Sequence, residues 1–166
     1  MSYQEARSHL RDAVRVCGTA DGACVPFALE CILPPSIQLN RNVYEKCIRN
    51  GGDDELRILT ELTRRGLITF IPLCVTIANF QDMATHVSRQ LNLIDTVGAL
   101  CCIVNYDELH LISLQGPLEG GYATVFDLGN EYQEQPITIL YSVVGANEYG
   151  VSDNLTIVSK GPNWPG

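Results

Sequence analysis

The sequence predicts an α+β domain in which helices come first and an antiparallel sheet follows. Two observations carry this. Apolar residues recur at helical spacing through the first half, and short runs rich in Val, Ile, Leu, Tyr and Thr, punctuated by Gly, Pro and Asn, fill the second. No internal repeat, low-complexity tract or linker separates the halves, so 166 residues read as one domain, with 160–166 as an extended Gly/Pro-rich tail. A chain of this length buries roughly two-thirds of the surface it would expose unfolded.

Taken in order, Tyr3, Ala6, Leu10, Ala13, Val14 and Cys17 lie on one stripe of a helix from Ser2 to Cys17. The Gly18–Gly22 stretch breaks it. A second helix, from about Cys24 to Leu33, is apolar on most sides (Val25, Phe27, Ala28, Leu29, Ile32), as a buried central element must be. Pro26 suits its first turn, and Pro34-Pro35 stops it. A short helix is expected over Val43 to Arg49. After Gly51-Gly52-Asp53-Asp54, an Asp caps a helix carrying Leu56, Leu59 and Leu62 and ending at Gly66. A strand over Leu67 to Ile71 and a helix carrying Phe80, Met83, Val87 and Leu91 complete this half. Strands then follow at Ala99 to Val104, Leu109 to Gln115, Tyr122 to Asp127, Ile137 to Val144 and Leu155 to Val158, with a hairpin turn between the second and third near Leu118.

Bulk chemistry narrows the function. A net charge of −8 with no basic tract excludes the electrostatic footprint of a nucleic-acid binder. No run approaches the roughly 20 apolar residues of a membrane-spanning helix, and the N-terminus carries no apolar signal region. Seven cysteines, an odd number with no C-x-x-C pair, suit reduced thiols in a cytoplasmic compartment. His9, His86 and His110 do not cluster with them at ligand spacing, so neither metal nor cofactor is expected. The even spacing of Cys17, Cys24 and Cys31 is interrupted by Gly18 and Gly22 and carries no heptad.

One cysteine stands apart. Asp21-Gly22-Ala23-Cys24-Val25-Pro26 sets a thiol at a helix start, where free N–H groups and the dipole stabilise thiolate. The Cys24 N–H there can also supply part of an oxyanion hole. A base is still needed, and His110 lies in the alternating run Glu108 to Leu114. Asp127 closes the next run. A turn near Leu118 makes His110 and Asp127 roughly cross-strand neighbours, so the carboxylate would orient the imidazole. Asn105 or Asp107 could substitute for it. Each piece also has a structural reading: cysteine is commonly buried, His110 is in phase with Ile112 and Leu114, and Asp127 could simply end a strand. His9 and His86 read as solvated side chains, and the Asp53-Asp54 pair as capping.

The segment Thr19 to Ala28, with its Asp-Gly-x-Cys opening a helix, resembles the nucleophile segment of ovarian-tumour (OTU) type deubiquitinases. Ala23 and Leu111 depart from that family's usual Asn and aromatic, and the spacing of His110 and Asp127 looks more like that of other papain-like groups. The resemblance therefore extends to the papain-like cysteine peptidase clan. It implies a papain-like fold in which the central helix packs on the C-terminal antiparallel sheet. By it, Cys24 is the nucleophile and His110 the general base, with Asp21 and Gly22 shaping the oxyanion loop. The implied function is hydrolysis of a peptide or isopeptide bond in a protein or peptide substrate, ubiquitin or a ubiquitin-like protein among them. The small size suits a viral or pathogen protease. Two alternatives stay open: a noncatalytic protein-interaction domain, and an acyltransferase or deamidase using the same residues.

Overall fold

The computed structural model describes residues 2–37, 39–51, 54–73, 80–105, 108–118, 122–128, 137–140 and 150–165. It is α+β. Four helices come first: α1 (Ser2–Cys17), α2 (Cys24–Ile32), α3 (Arg41–Arg49) and α4 (Glu55–Arg64). Strand β1 (Ile68–Pro72) and helix α5 (Phe80–Leu91) follow. The chain then adds β2 (Thr96–Asn105), β3 (Glu108–Leu118), β4 (Tyr122–Phe126), β5 (Ile137–Leu140) and β6 (Gly150–Lys160). The strands form one antiparallel sheet in the order β1-β6-β2-β3-β4-β5. The last strand thus returns between the first two.

Period-2 alternation gives the sheet two buried faces. Val97, Leu100, Cys102, Leu111, Phe126 and Val158 join the helical core of α1 to α4. Ala99, Cys101, Ile112, Leu114, Ala123 and Val125 are equally buried but lie outside that core, and α5 packs against β2, β3 and β6. Helix α2 is the centre of the helical layer, with every residue from Val25 to Ile32 buried. Its C-terminal end sits close on the sheet at Gly98, where an added Cβ would fall 2.8 Å from Leu114 O and 3.1 Å from Ile32 Cδ1.

Several elements differ from expectation in instructive ways. Helix α3 starts at Arg41 rather than Val43 because Asn40 caps it, its Oδ1 accepting from Asn42 N at 2.9 Å and Val43 N at 3.4 Å. On α4 the buried stripe is Ile58, Leu59 and Leu62, while Leu56 is exposed. Asp54 stands at the N-cap but makes no side-chain cap bond. Its buried carboxylate instead accepts from Arg57 Nε at 2.9 Å. Residues 161–165 are not a free extension. Gly161 N–H donates to Leu67 O at 3.0 Å and Asn163 N–H to Gly66 O at 2.7 Å, folding the segment onto the α4–β1 corner. The Gly52-Asp53 pair, Cys74 and residues 141–144 lie outside the described residues.

His9 is not a solvated side chain. Its Nδ1 lies 2.9 Å from Oε1 of Glu30, a carboxylate only 1% exposed in the middle of α2's burial. Tyr44 Oη donates to the same Oε1 at 2.7 Å and Leu39 N–H to Oε2 at 2.9 Å, so one carboxylate ties α1, α3 and the α2–α3 connection to α2. Truncating one partner of a buried charged network strands the others. Glu30→Ala is therefore expected to cost roughly 3–5 kcal/mol in urea denaturation, and Glu30→Gln, which keeps an acceptor, distinctly less.

Candidate active site

The chain reaches Cys24 through a tight sequence of backbone turns. Gly18, at φ +76°, ends α1 with its N–H on Val14 O at 2.8 Å. Gly22, at φ +91°, then turns the chain sharply, a conformation glycine adopts without steric cost. Ala23 N–H closes the turn on Ala20 O at 3.0 Å, and the first bond of α2 runs from Phe27 N–H to Ala23 O at 3.1 Å. Cys24 therefore opens the helix with an N–H that has no intrahelical acceptor. Pro26 falls within the same turn, where its missing donor costs nothing. Asp21 is exposed, and its backbone N–H donates to Thr19 Oγ1 at 3.1 Å.

Strand β3 brings the imidazole. Its neighbour β4 ends at Phe126, opposite Ser113, so the ladder sets Asp127 level with Ile112 and diagonal to His110. Strand β3 runs through Leu118, which pairs with Tyr122. The contact is diagonal rather than directly cross-strand, and it is made: His110 Nε2 lies 2.6 Å from Asp127 Oδ1. Asp127 is 6% exposed and the His110 side chain 20%. The ring also acts on the thiol, since His110 and the backbone N–H of Leu111 are the foremost influences that lower Cys24 against its burial. With Nε2 committed to the carboxylate, Nδ1 is the nitrogen left for sulfur. The three side chains thus meet in one place. Of the alternatives to Asp127, Asp107 and the side chain of Asn105 lie outside the described residues.

A direct bond holds the nucleophile's helix to the histidine's strand. Ser113 Oγ, fully buried, donates to Ala28 O at 2.6 Å, joining β3 to α2 one turn beyond Cys24. Nothing in the local sequence marks this serine, since alternation alone makes it one more residue of a strand. Ser113→Ala is expected to cost about 1 kcal/mol of stability, the net worth of one hydrogen bond, read from the urea midpoint.

The electrostatics of the pair are complementary. Burial pushes the Cys24 thiol up, but hydrogen bonds from His110 and the Leu111 N–H, the His110 charge and its own N–H together hold it below the ordinary thiol value. Burial likewise works against the imidazolium, yet hydrogen bonds to Asp127 and Cys24 and the charges of both raise His110 to about 9. Three other cysteines go the opposite way. Burial and then the Asp54 charge push Cys47 up to about 12, and burial raises Cys31 and Cys101 as well. Each group thus favours the charged form of the other.

His86 faces Asp82 at 3.6 Å, one helical turn away on α5, and is half-buried rather than solvated. Among the described residues, no three His, Cys, Asp or Glu side chains stand together as metal ligands, and no helix is long and apolar enough to cross a membrane. No protein-family model matches the sequence, and no curated protein matches it either.

Proposed function

We propose that the protein is a papain-like thiol hydrolase that cleaves a peptide or isopeptide bond, with ubiquitin or a ubiquitin-like protein as the substrate class. The supporting observation is the line Cys24–His110–Asp127: a thiol held below its ordinary pKa, facing an imidazole whose far nitrogen is fixed by a buried carboxylate. An inert core cysteine needs neither partner.

The chemistry follows from that line. Cys24 thiolate attacks the scissile carbonyl carbon, and its electron pair forms the C–S bond as the carbonyl oxygen takes negative charge. The Cys24 N–H, unbonded within α2, is one donor for that oxyanion. His110 Nδ1 gives its proton to the leaving amine as the C–N bond breaks, which leaves a thioester on Cys24. Water then attacks the thioester while His110 accepts its proton. The C–S bond then breaks with its electron pair returning to sulfur, which releases the carboxylic acid and restores the Cys24 thiolate beside the protonated His110. Asp127 keeps Nε2 protonated throughout and supports the cationic ring. Asp21 and Gly22 contribute through the turn that delivers the Cys24 N–H.

Ubiquitin bearing a C-terminal electrophile is the direct test. The intact protein should gain one ubiquitin, mapped to Cys24, and Cys24→Ala should gain none. Selective alkylation of Cys24 by a small reagent with no ubiquitin adduct would move the substrate outside the ubiquitin class. If Cys24 alkylates no faster than Cys17 and takes no ubiquitin, the hydrolase reading is wrong.

A further inference from the structure

A concavity lies at the far end of α2 from Cys24. That helix carries Cys24 at its start and Ile32 at its end, about 12 Å away at the ordinary helical rise. Beyond that end, a cleft of about 550 Å³ opens between the α2 C-terminus, the start of β2 and the folded C-terminal segment. This volume falls within the range of small-molecule sites, which are apolar with few polar groups to orient a ligand. Ile32, Leu33, Val97, Phe126 and Trp164 line it. Those first four are largely covered by their neighbours, so the surface they still expose is the wall of the cleft.

One charged residue stands on that wall, Lys160 at the end of β6. None of the ion pairs among the described residues uses it. The other long polar side chain there, Gln115, already donates its amide to Val97 O at 3.3 Å, and Thr96 Oγ1 donates to Gln90 O at 2.8 Å. An apolar cleft with one available cation among the described residues selects for a ligand with an apolar body and one anionic group. On a chain of net charge −8, Lys160 is the group at this cleft that favours an anion.

We propose that this cleft binds an amphipathic monocarboxylate of small-molecule size, its hydrocarbon against Ile32, Val97 and Phe126 and its carboxylate on Lys160. The site is separate from the Cys24 chemistry and stands or falls independently of it. Trp164, the one tryptophan of the chain, lines the cleft and reports on its occupancy. The experiment titrates the full chain with octanoate and, separately, with octanol, which has the same alkyl length and no charge. Octanoate should change Trp164 emission saturably and bind about fivefold more tightly than octanol, the scale of an exposed ion pair. Lys160→Gln, at an exposed strand end, should bring octanoate down to octanol and leave octanol unchanged. Equal binding of the two in the native chain, or an unchanged preference in Lys160→Gln, would overturn the assignment of the carboxylate to Lys160. No saturable change with either ligand would overturn the site itself.

Discussion

Replacing His110 with alanine is expected to slow alkylation of Cys24 at pH 7 by about tenfold or more. The reasoning weighs two opposed effects. Without the ring, the largest remaining influence on the thiol is burial, which raises its pKa. A thiol at or above about 9 is thiolate in roughly one molecule per hundred at pH 7. The rarer thiolate is also more basic and so more nucleophilic, but a Brønsted slope of about 0.4–0.5 returns only about half of the logarithmic loss, so a small electrophile still reacts more slowly. Turnover of a peptide bond should suffer much more, because His110 also supplies the leaving amine's proton, a contribution of roughly 10²–10⁴ by itself. Iodoacetamide rates resolved by residue give the first quantity, and hydrolysis of a substrate captured by Cys24 gives the second. Equal loss in both would mean that His110 only sets the thiolate population.

Asp127→Asn should act through the histidine and leave a different signature. Burial opposes the imidazolium, and the Asp127 carboxylate is the largest of the influences that overcome it to raise His110 to about 9, ahead of Cys24. Without it, burial is opposed only by the thiolate, and the imidazolium is lost at a lower pH. For a group whose folded pKa is raised, the stabilisation of the charged form is complete below the ordinary value near 6.5 and vanishes as pH passes about 9. The pair therefore weakens most between those two limits. Cys24 in Asp127→Asn should alkylate about tenfold more slowly than wild type near pH 7, the two rates converging above pH 9, where the wild-type ring has lost its charge as well. A constant offset at all pH values would show that the substitution had displaced the ring instead of altering its charge. Conversion of the ladder contact into a stability difference follows the same window, so the wild-type advantage in urea midpoint should shrink as pH rises from about 6.5 through 9.

Much of this site is legible in the sequence because local rules govern its parts. Gly18, Gly22 and Pro26 punctuate the chain at fixed positions, and the all-round apolar run from Val25 to Ile32 can only be an interior helix, so Cys24 at its start follows directly. The strand pattern around His110 is equally local. The partner of His110 is less so. Its identity comes from the order of the hairpin, but the carboxylate is reached along the diagonal. A register of this kind is set by where a strand stops pairing, which composition does not encode.

What the sequence hides are contacts between segments distant along the chain. Nothing near Ser113 announces Ala28 O as its acceptor, and nothing near His9 announces Glu30. A glutamate inside an apolar helix is the available signal, because a carboxylate so placed must find donors. Its donors come from α1, the α2–α3 connection and α3, three segments that only the tertiary fold brings to one point. The C-terminal segment misleads for the opposite reason. Gly161, Pro162 and Pro165 read as an extended tail, yet Gly161 sits where an added Cβ would collide with Gly66 O, a close approach that requires glycine. The folded corner that results is also one wall of the distal cleft.

The pH dependence of Cys24 alkylation, followed by residue-resolved mass spectrometry across the acidic to alkaline range, probes the sulfur–imidazole pair at its root. A rate that is already high well below the ordinary thiol pKa, and far above that of Cys17 under the same conditions, is the expected result. A Cys24 rate that climbs only in step with an ordinary thiol would mean that His110 does not ionise it, and the proposed chemistry would have no nucleophile.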